Sequence, residues 1–436
     1  MTALIRLLAL TILLTSTAAL AQPRPSSARL ITLEDAYDLA LASDQSIAIA
    51  QLGIQQAQLD PARAWVKLTP TISADAGISA RDSRNAAGRR STNSGGITLS
   101  QPIFDPTFFP ALRRGKLAVA AAGADYQRQI RETLFGVAQA YYDVLTQQEI
   151  VEVDKESLRL AAEQQDIAQA RLDAGDTTRS DPLRAQVTTE TARRTLIEDT
   201  STLESLRNIL ANILNLDNDL NFRVALPPGH KTTIPRFDYL LRDALTQRED
   251  IRSQDLLIRQ NDERIKEVRS SYLPSISANV DASTSDQSGG NPRFENDVQG
   301  SLSLRVPLYS AGQKAIDVRA ATLDAQQSRL QQQQLIKQVE QEVKDAWLDA
   351  RRLSETLNIL RVQVQAAEVS YAELQERYKS GDAANLDVLT ALNELITSRR
   401  DLTVETYRLQ LSLRNLERVS STFQTDRVRK VQSPTP

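Results

Sequence analysis

Two short stretches carry the residues best placed to do chemistry. Arg171, Gly175 and Asp181 follow one another closely, and Arg377, Gly381 and Asp387 repeat the same spacing 206 residues later, with Tyr378 beside the second arginine. A glycine ending a run of helix formers suits a left-handed C-cap, and an arginine in the last turn complements the negative end of the helix dipole. Asp181, followed by Pro182, reads as an N-cap and first helical position, and Asp387 takes the same place in the second stretch. Capping accounts for most of these choices. What the aspartates offer beyond it is charge rather than catalysis.

The rest of the chain supplies no reactive centre. There is no cysteine, which excludes disulfides, thiolate metal sites, cysteine nucleophiles and a lipid-modified cysteine. The single histidine, His230, lies in the loop Pro227-Pro228-Gly229-His230 without a second imidazole, so a zinc site or a histidine general base is not expected. No convergent set of His, Cys or carboxylate side chains stands off the helix faces. The expectation is a protein that is not an enzyme and takes no cofactor or metal. Setting aside Arg6 in the leader leaves 51 basic and 55 acidic side chains, a balance that argues against a nucleic-acid partner.

The elements that position these turns are themselves written twice. Pro70-Thr71-Ile72-Ser73 returns as Pro274-Ser275-Ile276-Ser277 at an offset of 204, Pro102 matches Pro307 at 205, and the glycines match at 206. An offset this long marks a duplicated half-protein rather than a solenoid unit. Each half runs short helix, medium helix, strand pair, very long helix, tip turn, return helix. After Gly312 the chain to Lys379 holds neither Pro nor Gly, enough for one helix of roughly 100 Å. Its apolar seam, Val343, Ala346, Ala350, Leu353, Leu357, Leu360, Val364, Ala367, Tyr371, Leu374 and Tyr378, alternates steps of 3 and 4 as a coiled coil does. The matching seam from Val137 to Leu172 is interrupted by Gln147, Asp154 and Gln165, which predicts looser packing or a wetter face. The return helices are expected over Asp181–Leu216 and Asp387–Thr422. This gives a leader at 1–21, a first repeat at 22–226 with a β-hairpin near 71–104 and a tip at 175–181, and a linker at 227–235. A second repeat follows at 236–424, with a hairpin near 275–308 and a tip at 381–387, then a disordered tail at 425–436.

The leader has a positive Arg6, an apolar run Leu7–Leu14 and a small-residue cleavage site at Ala19-Leu20-Ala21, the marks of a secretory signal peptide. Past it, no stretch approaches the ~20 apolar residues of a membrane helix, so an exported chain of this kind enters a membrane only as β-strands. The strands alternate accordingly. Ile72, Ala74, Ala76 and Ile78 oppose Ser73, Asp75 and Ser79, and Ile97, Leu99 and Ile103 oppose Thr98 and Ser100. In the second half Ile276, Ala278, Val280 and Ala282 form one face, and Val298, Leu302, Leu304, Val306 and Leu308 another. Trp65, Tyr272, Phe104, Phe108, Phe109 and Tyr309 gather at one end, as an interfacial girdle does. Four strands are too few for a membrane barrel, whose minimum is about eight, so strands must be pooled between chains. Two chains supply about eight strands, which nearly fill their own interior; three supply about twelve and leave a lumen. A soluble four-stranded sheet is the plain alternative, but the helices are committed to coiled coils and leave nothing to cover it.

These residues resemble the TolC-like outer-membrane efflux proteins over nearly the whole mature chain. The likeness rests on the duplication, on Leu68-Thr69-Pro70 and Tyr272-Leu273-Pro274, and on Ser100-Gln101-Pro102-Ile103-Phe104 with Arg305-Val306-Pro307-Leu308-Tyr309. It rests also on Arg171-Leu172-Asp173-Ala174-Gly175 with Asp181, and on Arg377-Tyr378-Lys379-Ser380-Gly381 with Asp387. The resemblance implies a mixed α/β, mostly α membrane protein built as a homotrimer. Its 12-stranded barrel would sit in outer-membrane lipid and continue as an α-helical tube across the periplasm. It implies a periplasmic adaptor and an inner-membrane pump of RND, ABC or MFS type as partners, and a passive channel for tripartite efflux or type I secretion. A periplasmic coiled-coil scaffold without a barrel is the alternative.

At the tip the resemblance aligns Asp387 with an aspartate of the family's selectivity ring and Tyr378 with a tyrosine of its closing network. Asp181 would complete a ring of about six carboxylates in a trimer, favouring cations and resisting anions. The next ring aspartate is Thr390 here and the closing arginine is Ala383, leaving Arg179, Asp176 or Asp382 to substitute. Arg171, Gly175, Arg377 and Gly381 would form the adaptor-docking turns. The second copy, with its cleaner seam, is expected to control gating.

Overall fold

A computed structural model describes residues 29–81, 90–216, 222–227, 233–286 and 294–423. The expected leader, the tail expected to be disordered, His230, parts of both hairpin loops and part of the linker lie outside them. In chain order the elements are β1 (Arg29–Ile31), α1 (Leu33–Ser43), α2 (Gln45–Val66), β2 (Thr71–Arg81), β3 (Arg90–Phe104), α3 (Phe108–Asp173) and α4 (Ser180–Ile213). There follow β4 (Phe222–Val224), α5 (Phe237–Gln247), α6 (Glu249–Ser270), β5 (Ser275–Asp286), β6 (Phe294–Arg305), α7 (Gln313–Ser380) and α8 (Asn385–Val419). The same order of elements runs twice, with matched helices of 11 and 11, 22 and 22, 66 and 68, and 34 and 35 residues. Among the described residues no helix is long and apolar enough to cross a membrane.

Local chemistry sets the helix starts. The hydroxyl of Thr32 accepts from the Asp35 N–H while the Asp35 carboxylate accepts from the Thr32 N–H, closing a capping box at α1. Asp44 caps α2 by accepting from the N–H groups of Ser46 and Ile47. The medium helix then crosses the long one at Gly115, where a Cβ would stand 2.7 Å from the Pro61 nitrogen; the close approach requires glycine. The short parallel pair β1–β4, which the alternation pattern does not mark, is held by Tyr141, whose hydroxyl lies 3.1 Å from the Ile31 carbonyl and 2.5 Å from that of Ala225.

The largest core surrounds this pair and fills the space between α1, the middle of α3, the end of α4 and Phe423 beyond α8. A second core joins α5, α7 and α8 through Val343, Ala346, Ala350, Leu353 and Leu357, so the apolar seam of α7 packs as its spacing predicts. The seam of α3 departs from expectation. Gln147 and Asp154 are buried rather than wet, because α3 is wrapped by α2, α4, α6 and α8 and its polar side chains find partners there. Further down, Gln164 is fully buried while Gln165 is only half-buried. A straight helix drifts against a 3.5-residue repeat, and the buried stripe has moved by one residue.

The strands form one open antiparallel sheet in the order β2-β3-β5-β6. Its apolar face is bare: Ile72, Ile78, Ile97, Val298, Leu302 and Leu304 are all exposed. Beta6 ends at Arg305, short of the expected Leu308, because Pro307 has no N–H for a ladder; Leu308 and Tyr309 stand clear of the sheet. A bulge between Pro102 and Phe104 pairs Phe104 with Ile276, breaking the alternation that put Ile103 in line. Of the aromatic group, Phe108 is buried, its ring 4.9 Å from that of Trp65 where α3 begins; Trp65, Tyr272, Phe104, Phe109 and Tyr309 stay exposed.

Candidate functional site: the helical tip

Both long helices end in the same turn. Gly175 has φ +83° and Gly381 φ +92°. The N–H of Asp176 bonds the Arg171 carbonyl at 2.9 Å, and that of Asp382 bonds the Arg377 carbonyl at 2.8 Å, each paired with a shorter-range bond from the glycine. These are Schellman turns, and an alanine at either glycine would force a left-handed conformation costing about 1–2 kcal/mol.

The helix starts differ from the sequence reading. Helix α4 begins at Ser180 with Arg179 as its flanking residue, so Asp181 and Pro182 lie inside the first turn; the Asp181 carboxylate accepts from the Thr177 hydroxyl at 2.5 Å. Helix α8 begins at Asn385 after Ala384, and Asp387 is in its first turn with an exposed side chain. Neither aspartate is an N-cap. Ser180 and Asn385 start the helices earlier than Asp181 and Asp387 suggested, and the acids keep only the favourable helix-dipole position.

The tip residues divide into a joined group and a separate one. Arg171 reaches across from α3: its Nη1 donates to the Tyr378 carbonyl at 2.5 Å and its guanidinium lies 4.6 Å from the centre of the Tyr378 ring. Tyr378 is buried, its hydroxyl facing Thr177, Arg171 and Asp181 without a hydrogen bond of ordinary geometry. Burial first, and the Asp181 charge second, push its phenol above the ordinary value, so it is neutral and a donor at any physiological pH. Asn385 completes the joint. Its Nδ2 donates to the Asp181 carbonyl at 2.9 Å, and its Oδ1 accepts from Gln164 Nε2 at 2.9 Å. Leu160, Ala161, Tyr371, Val388, Ala391 and Leu392 pack around this group, and Ala168, Ala185 and Leu389 lie beside it.

Arg171, Asp181 and Tyr378 are therefore brought together, and they tie the first helical hairpin to the second. Arg377 is exposed and stands 4.0 Å from Glu373, which makes it unlike its counterpart Arg171. Asp387 and Thr390 are exposed on α8, apart from the joint, and Ala383 is packed at the edge of its apolar floor. Asp382 accepts from the Ser380 hydroxyl at 3.0 Å, a local bond within its own turn. Gln164 and Asn385 escaped the sequence reading. The one available signal was an amide just off each apolar stripe, and its partner is 221 residues away.

The profile of the outer membrane efflux protein family matches residues 36–216 and 240–421. The chain belongs to that family, and it is an outer-membrane protein with a large periplasmic portion. It is 26% identical over 355 residues to the outer membrane efflux protein BepC of Brucella suis, covering 78% of this chain and 76% of that one. It is 23% identical over 428 residues to the proteases secretion protein PrtF of Dickeya chrysanthemi, covering 91% and 89%. The Campylobacter jejuni CmeC outer membrane channel superposes with a TM-score of 0.75 at 19% identity over 92% of this chain and 88% of that one, a likeness of fold.

Proposed function

We propose that this chain is the outer-membrane duct of a tripartite efflux or type I secretion system, conducting cargo passively while an inner-membrane pump of RND, ABC or MFS type supplies the energy. The observation that carries the reading is the open sheet. Its apolar face is uncovered, and its edge strands β2 and β6 each have an unpaired side among the described residues. An exposed apolar face suits lipid, and two free edges suit pairing with other copies. Three copies would close about twelve strands around a lumen lined by the polar face. The relatives named for efflux and for protease secretion support either transport arm.

In this reading the two repeats, 22–226 and 236–424, each give the trimer one β-hairpin and one helical hairpin. The tips form the periplasmic mouth. Asp387, exposed on α8, lines the selectivity ring, and Asp181 joins Tyr378 in the closing link. Arg171 supplies the cation that Ala383 does not. The turns at Arg171, Gly175, Arg377 and Gly381 face the periplasmic adaptor. A charge at Leu304 tests the barrel. Leu304→Arg should lower recovery of a heat-sensitive trimer from outer membranes, because a cationic side chain on the lipid face costs up to about 2–4 kcal/mol at mid-membrane and less toward the interface. Recovery of the native chain as a soluble periplasmic monomer would refute the reading.

A further inference from the structure

Well above the tip lies a group of ionisable side chains, one of them fully buried, that the duct reading leaves unused. Asp154 on α3, Asp199 on α4 and Arg400 on α8 meet where the first helical hairpin packs against the return helix of the second. From Asp154 to the end of α3 is roughly 30 Å along the helix. Arg400 donates through one amino group to Asp154 Oδ1 and through the other to Asp199 Oδ2 at 2.9 Å. Gln147 Nε2 donates to the Asp199 carbonyl at 3.1 Å and to its Oδ1 at 2.9 Å. Asp154 is 2% exposed, and its Oδ2 is buried with no hydrogen-bond partner among the described residues. Arg399, the next residue on α8, turns away to Glu368 of α7 at 2.6 Å.

The charges do not balance when both carboxyls are ionised. Two carboxylates share one guanidinium, and although Asp199 and Arg400 keep some contact with solvent, Asp154 is buried, where an uncompensated charge is costly. A proton on Asp154 Oδ2 removes the excess charge. It also turns the unpartnered oxygen into a donor toward the Asp199 carboxylate beside it, and Asp199 remains the ionised partner of Arg400. We propose that Asp154, Asp199 and Arg400 form a proton-operated latch, which ties the first helical hairpin to α8 when one carboxyl is protonated and loosens that seam when both are ionised.

The direction of the switch follows from the surroundings. Burial first, then Asp199, push Asp154 up to about 6 against the pull of Arg400. Asp199 bears its own burial, yet a bond from Asp154 once protonated, with those from Gln147 and Arg400, holds it below the usual carboxylate range. Asp154 titrates higher in the folded chain than in the unfolded one. The latch is therefore fully made below an ordinary aspartate pKa and is lost as pH rises through about 6. One pH unit above that midpoint the protonated fraction is about a tenth. The chain has a single histidine, so few other groups titrate in this window. On the duct reading, which this consequence rests on, the helical tube is stiffer in acid and opens more readily at neutral pH.

The test is hydrogen–deuterium exchange of the full-length chain in detergent, corrected for intrinsic pH dependence and read over α3 and α8 around Asp154 and Arg400. Between about pH 5 and about pH 7.5, protection there should fall about tenfold in the native chain. It should be independent of pH in Asp154→Asn, and Asp199→Asn gives the same reading if the first variant does not fold. A flat native profile, or an unchanged pH step in the folded Asn variants, overturns the latch. Bilayer conductance of the same preparation separates the two ideas. A conducting chain without the pH step rejects the latch alone, and a pH step in a chain that never conducts keeps the latch and rejects the duct.

Discussion

The two helical hairpins of this chain have nearly the same length and the same terminal turn, yet they are held in different ways. The second, α7–α8, closes on itself through an apolar seam from Val339 to Leu357. The first, α3–α4, carries buried polar residues at the matching positions Gln147 and Asp154, and another, Gln164, one place off the seam near the tip. Asp154 and Gln164 each bond to α8, through Arg400 and Asn385, and Gln147 bonds to Asp199 of α4, which Arg400 also holds. An apolar seam holds two helices together with little regard to which partner it meets. A buried polar seam specifies one partner, because any other leaves a charge or an amide unpaired. The first hairpin is thus addressed to the second, and Arg171 over Tyr378 repeats the arrangement at the tip.

The comparison can be broken at graded cost. Arg400→Gln should be the most damaging, leaving the buried Asp154 and the half-buried Asp199 without their cation at about 3–5 kcal/mol, and denaturant unfolding in detergent at neutral pH measures it. Leu353→Ala in the apolar seam should cost about 2–4 kcal/mol by the same assay, but it should leave any pH dependence between the hairpins intact. Asn385→Ala should cost about 1–3 kcal/mol, since it strands Gln164 and the Asp181 carbonyl, and it should raise amide exchange at both tips rather than one. Asp387→Asn comes last. Because Asp387 is exposed and caps nothing, stability should change by no more than about 0.5 kcal/mol, while cation selectivity or cation block in a planar bilayer weakens. An unchanged selectivity would place the constriction elsewhere.

Whatever is written locally could be read before the fold was known. Gly175 and Gly381 announce the turns, the absence of Pro and Gly from Gln313 to Ser380 announces the helix, and the alternation in Ile276–Ala282 announces a strand. The reading failed where the answer lies in a distant partner. Asp154 looks like a flaw in a seam until Arg400, 246 residues on, is beside it. Asn385 has no meaning alone, since its partners Asp181 and Gln164 belong to the other half. Asp181 and Asp387 looked like caps because an acid before a helix usually is one; each helix simply starts earlier. The bulge at Pro102 is likewise set by the ladder with β5 rather than by its own sequence.

If three copies pool their strands into one conducting pore, as proposed, a planar bilayer registers it. Purified from outer membranes in detergent and added to one side of the bilayer, the chain should give discrete conductance steps that favour cations. The steps should disappear when the trimer is dissociated by heating. A trimer that never conducts, or conductance that survives its dissociation, would contradict the account.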